Sequence, residues 1–168
     1  MNLFLGRHPT TVVQDVVLLL ARIGLGVVLV AHGLQKLDQG GVGPAADGFA
    51  QLGIPAPEAA AVFAIGVELV GGVLLVLGAL TPLVGVLVAA DMAGAFWFAH
   101  RDGGVFVAEG GWELVLLIGV LGLLLAATGA GRLSVDRLLT GRRRSAEADV
   151  TTRTPPAGEV SSAGAVTR

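Results

Sequence analysis

The sequence predicts an all-α integral membrane protein, a bundle of four transmembrane helices. Two observations carry this. Apolar residues make up 54% of the chain and charged ones 14%, with a mean hydropathy of +0.79, far from the balance of a soluble domain. The apolar residues are gathered into four runs, each close to the ~20 residues that cross ~30 Å of hydrocarbon as a helix. The 168 residues leave room for one compact membrane domain and a short tail, with no separate soluble catalytic domain.

Residues 1–15 read as an N-terminal cytoplasmic segment and residues 16–139 as the four-helix domain. The first span runs from Val16 to Leu34; it is too long for a signal-peptide core and lacks a small-residue cleavage site before Gln35-Lys36. In the connection from Gln35 to Glu58, Ala45 to Leu52 suits a short amphipathic helix. Gly53 and Pro55 end it, and Phe49, Leu52 and Ile54 dip into the interface. The second span covers Ala59 to Leu80 and the third Leu83 to His100, and the Leu80-Thr81-Pro82 corner between them forces an antiparallel hairpin. The fourth covers Glu113 to Thr128. After Leu139 the chain turns to Arg142-Arg143-Arg144 and a Thr, Ser, Ala, Pro and Glu mixture. Residues 140–168 therefore read as a disordered cytoplasmic tail whose arginines anchor it at the membrane surface.

Orientation follows from the basic residues near the span ends. Arg7, Arg132, Arg137 and the arginine triplet lie on one side; Lys36 and Arg101, diluted by Asp38, Asp47, Glu58, Asp102 and Glu109, lie on the other. The arginine excess puts both termini in the cytoplasm. With one Lys against ten Arg and abundant Ala, Gly and Val, the composition is that of a GC-rich bacterial genome, which makes the location a bacterial cytoplasmic (inner) membrane, crossed several times. The absence of cysteine excludes disulfides, thiolate metal sites, iron–sulfur ligation and a dithiol relay within this chain. No phosphate-binding loop, internal repeat or nucleic-acid motif is present, and the lipid bilayer is the one partner composition names.

Three charged residues interrupt the apolar runs: Arg22, Glu68 and Asp91. A charge at bilayer depth is costly without a partner or water, so such residues mark a buried polar site. By helical rise, Glu68 and Asp91 share a level ~13 Å from the outer face and Arg22 lies ~18 Å deep, so the three are expected to meet near the midplane. One guanidinium against two carboxylates leaves an acid to keep its proton, which suits a proton relay; an ion cluster that fixes helix packing fits equally well. Arg22, His32 and Lys36 share one helix face, and Gly71 and Gly72 beside Glu68 let a neighbouring backbone approach closely. His32, Lys36, His100 and Glu113 form an outer polar rim able to hydrogen-bond a quinone headgroup. Haem ligation by His32 and His100, or zinc binding by both with Glu113, has the ligand types without supporting local spacing, and no metal site is assigned. Interfacial anchoring beside Trp97 and Trp112 accounts for the rim as well. No residue is singled out as catalytic.

The order of these motifs resembles the DoxX family of small four-helix membrane proteins. The resemblance rests on Arg22 followed by HGLQKL at 32–37, DGFAQLGIP at 47–55, VELVGGVLLVLGALT at 67–81, ADMAGA at 90–95, His100, WELVLL at 112–117 and GAGRLSVD at 129–136. It implies a four-helix bundle near respiratory or redox metabolism. Relatives include a subunit of an archaeal-type thiosulfate:quinone oxidoreductase and members associated with superoxide dismutase and a sulfurtransferase in oxidant defence. The family pattern emphasises the positions held by Arg22, His32, Lys36, Glu68, Asp91, His100 and Glu113. The resulting expectation is a membrane subunit of a redox or oxidative-stress system, interacting with quinone or recruiting soluble redox enzymes, with or without catalysis of its own. A small proton-coupled transporter and a structural or assembly factor are the alternatives.

Overall fold

The computed structural model describes residues 11–139. Most of the expected N-terminal segment, residues 1–10, and the whole expected tail, residues 140–168, lie outside the described residues.

Helix α1 runs Val12–Asp38, starting four residues before the expected span. The cause is local: Thr11 and Gln14 form a capping box, each side chain bonded to the other's backbone N–H at 3.3 and 2.8 Å, so the helix nucleates ahead of the apolar run. Two glycines with positive φ, Gly40 and Gly41, turn the chain into α2, Val42–Gln51, which replaces the shorter helix expected from Ala45. A second rod, Pro57–Leu77, consists of α3 (Pro57–Gly66), a π turn (Val67–Gly71) and α4 (Gly72–Leu77). Pro57 opens it at the first helical position, where its missing N–H has no partner to lose. Helix α5, Thr81–Ala95, continues through a second π turn, Phe96–His100, and α6 spans Glu113–Thr128 as expected.

The rods assemble as two closely packed pairs, α1 with the α3–α4 rod and α5 with α6. Glycines set both contacts. A Cβ on Gly26 would lie 2.6 Å from the Gly72 carbonyl oxygen, and one on Gly85 would lie 2.4 Å from that of Gly122. Only bare backbones pack this closely, as in small-residue seams between membrane helices. Leu25, Leu29, Leu75, Val88 and Leu125 fill the core between the pairs. Outward faces are also apolar: Val70, Leu117 and Val120 are each more than half exposed. A bundle apolar inside and out is built for lipid. Among the described residues, Val12–Asp38, Pro57–Leu77 and Thr81–His100 are long and apolar enough to cross a membrane; the 16-residue α6 is apolar but shorter.

A buried Lys–Glu–Asp group and a separate arginine latch

One end of the bundle, the loop end, carries α2 and the 101–112 connection; the other, the corner end, carries the start of α1 and the α4–α5 turn. Lys36, in the last turn of α1, reaches into the bundle near the loop end and donates to both carboxylate oxygens of Glu68 at 2.6 Å. Glu68 is 4% exposed and sits in the first π turn. Gly33 makes the approach possible, since a Cβ there would lie 3.2 Å from Glu68 Cβ and 2.6 Å from Leu69 Cγ. Asp91, half-buried on α5, is in electrostatic contact with both Glu68 and Lys36. The ammonium thus pairs with Glu68, and Asp91, on the other helix pair, lies within the field of both.

Arg22 does not join them, which corrects the expected meeting of three. Its Cα is 14 residues from that of Lys36 along α1, about 21 Å at helical rise. Helical side chains lean toward the helix N-terminus, which for α1 is the corner end, so Arg22 is directed away from Glu68 and Lys36 is directed down onto it. Lys36, assigned to the rim by its position, therefore supplies the cation of the buried acids.

Arg22 organises a second group at the corner end. Fully buried, it donates from Nη2 to the Leu133 carbonyl oxygen at 2.6 Å and interacts electrostatically with Asp136. Its guanidinium fills the space where Gly78, at φ +68°, has no side chain. Asp136 in turn accepts hydrogen bonds from the N–H groups of Leu80 (2.8 Å) and Thr81 (3.0 Å), capping α5 from a distant part of the chain. This holds Leu80 in a left-handed conformation, φ 52°, that a leucine disfavours. Buried Asp15 accepts from Arg132 N at 2.9 Å and pairs with its Nε at 3.6 Å. These contacts tie the 129–136 segment to α1 and the corner. Asp15 and Asp136 escaped the sequence reading, although the Thr11–Gln14 capping box would have placed Asp15 inside the helix.

The remaining rim residues brace local structure. His32 Nδ1 bonds the Val28 carbonyl oxygen of its own helix at 2.8 Å. His100 Nδ1 bonds Gly110 O at 2.9 Å, and Glu113 accepts from Val107 N at 2.8 Å, so both hold the 101–112 connection. Among the described residues, no three His, Asp or Glu side chains gather as a metal site requires. Arg101 stacks over Trp97 at 5.0 Å, and Phe96 meets Trp112 edge-on at 6.3 Å, an aromatic collar at the loop end.

A pocket of about 270 Å³ lies between the end of α1 and α2, with Lys36 and Gln39 on one wall and Pro44, Gly48, Phe49 and Leu52 on the other. It is the opening through which Lys36 keeps part of its surface exposed: 23% of its side chain, against 6% for that of Glu68.

Fold and surface define a multi-pass membrane protein of the bacterial inner membrane. The chain belongs to the DoxX family, which it matches over residues 17–101. An uncharacterized membrane protein of Mycobacterium tuberculosis is 36% identical over 136 residues, covering 72% of this chain and 80% of the relative. CatD of Bacillus subtilis, whose name proposes an oxidoreductase, is 33% identical, covering 70% of this chain and 83% of its own. The inner membrane protein YphA of Escherichia coli is 32% identical, covering 74% and 91%. No solved structure matches the chain.

Proposed function

We propose that this protein is a membrane subunit of a redox system, in which Lys36, Glu68 and Asp91 receive a quinone headgroup and handle its protons. Four spans with both termini in the cytoplasm complete the reading and put the Lys36 end on the outer side of the membrane. The carrying observation is a buried carboxylate, Glu68, paired with a partly accessible ammonium, with a second, half-buried carboxylate, Asp91, near enough to interact electrostatically with both. Lys36 Nζ has three hydrogens and directs two at Glu68, leaving a third for a carbonyl oxygen of a ligand. Two carboxylates near one ammonium supply groups of the kind that give and take protons from a bound ligand. Family membership and the name of the B. subtilis relative support a redox setting.

Extraction in mild detergent, followed by mass spectrometry of bound lipid and protein, tests the reading. Retained quinone, or a co-purifying soluble redox enzyme such as a superoxide dismutase or a sulfurtransferase, is expected, with quinone lost from Lys36→Met. Intact protein that carries neither overturns it.

A further inference from the structure

The pocket beneath α2 is lined by Lys36, the residue whose ammonium holds buried Glu68. Its wall residue Gln39 is exposed, as are Asp38 just before it and Asp47 and Gln51 on α2, so this end of the bundle faces water. Lys36 forms one side of the pocket and holds Glu68 directly behind it, and Asp91 follows in electrostatic contact. Helix α2 closes the pocket from above. It is joined to the bundle by residues in glycine-type conformations at both ends: Gly40 and Gly41 at φ +111° and +80°, and Gly53 at +74°. Gly48, in the middle of α2, leaves open space where a side chain would project.

We infer that this pocket is the aqueous port of the buried acid pair. Water and protons reach Glu68 and Asp91 from the solution at the loop end, past Lys36 and under α2, and the lipid-facing sides of the bundle give no such access. The inference deepens the proton-handling role proposed for the site and rests on it for its purpose; the access route itself is measurable whether or not quinone binds.

The composition supplies clean chemistry for the test. Lys36 is the only lysine and the chain has no cysteine. In sealed membrane vesicles of each orientation, the full-length protein is treated with a charged, membrane-impermeant acylating reagent and modification of Lys36 is read by peptide mass spectrometry. In parallel, Lys36→Cys and Leu117→Cys, the latter on the lipid-facing surface of α6, are labelled with a charged methanethiosulfonate. Lys36 and Lys36→Cys are expected to react from one side only, with Lys36→Cys about tenfold or more faster than Leu117→Cys. Gly48→Trp, which fills the pocket, is expected to slow both Lys36 reactions by about tenfold. If Lys36→Cys fails to fold, Gln39→Cys takes its place under the same expectations. A cysteine at the port that labels no faster than Leu117→Cys, or labelling that Gly48→Trp leaves unchanged, overturns the port. Loss of quinone from a purified protein that still labels in this pattern overturns only the proposed ligand.

Discussion

Replacing Gly78 by alanine tests whether the buried guanidinium of Arg22 is locked in its slot. Two penalties combine at this position. Gly78 has φ +68°, and a left-handed backbone costs a residue with a Cβ ~1–2 kcal/mol. The new Cβ would also lie 2.6 Å from Ser134 Cβ, which is fixed to the backbone, and on top of Arg22 Nη1. The guanidinium is the flexible end of a long side chain, but moving it breaks the bond to Leu133 O. A buried hydrogen bond to a charged group contributes ~1.5–3 kcal/mol. The expected loss for Gly78→Ala is therefore ~2.5–5 kcal/mol. Gly53→Ala is the internal standard: its φ is +74°, but nothing lies within 4 Å of the added Cβ, so only the backbone penalty of ~1–2 kcal/mol applies. Reversible unfolding in mixed micelles titrated with a denaturing detergent measures both. If the two variants lose the same stability within ~0.5 kcal/mol, the locked-guanidinium argument is refuted.

Three further outcomes follow from contacts described above. Lys36→Met leaves buried Glu68 without its cation and is expected to lose ~3–5 kcal/mol, while the double variant with Glu68→Gln recovers part of it; a double-mutant cycle showing no coupling would contradict the pairing. Gly85→Ala is expected to destabilise by ~1–3 kcal/mol by forcing α5 off α6. In the same unfolding assay Gly24→Ala, whose added Cβ meets nothing within 4 Å, stays within ~0.5 kcal/mol of the parent. Asp136→Ala removes the two hydrogen bonds that cap α5, worth ~1–2 kcal/mol, and also the carboxylate that interacts with buried Arg22, so it is expected to cost more than ~2 kcal/mol, with faster amide exchange at Leu80 and Thr81 than elsewhere in α5.

The rods were legible in the sequence because hydrocarbon imposes a length and a composition that a linear reading detects; the α6 boundaries, Glu113 and Thr128, emerged as written. Glu68 and Asp91, which the fixed rise per residue brings to one level, do lie near enough to interact electrostatically. The place of Arg22 was not legible. Depth counted from Cα positions ignores the lean of helical side chains toward the N-terminus, and for a side chain as long as arginine that lean decides which end of the bundle it serves. Asp136 was hidden differently: it caps a helix more than fifty residues earlier in the chain, and no local pattern records a partner that only tertiary packing supplies. The π turns at Val67–Gly71 and Phe96–His100 leave no periodic trace either, because a single widened turn is absorbed within a continuous apolar run.

The two glycine seams have a mechanical consequence. Bare backbone contact makes α1 with the α3–α4 rod one stiff unit and α5 with α6 another, while the ground between them is held by fewer, side-chain contacts. Lys36 and Glu68 ride on the first unit and Asp91 on the second. A small slide or tilt between the units would change the spacing of the two acids while leaving the lysine clasp intact. The two acids therefore stand on opposite sides of the less tightly packed seam, and their spacing follows how the two pairs sit against each other.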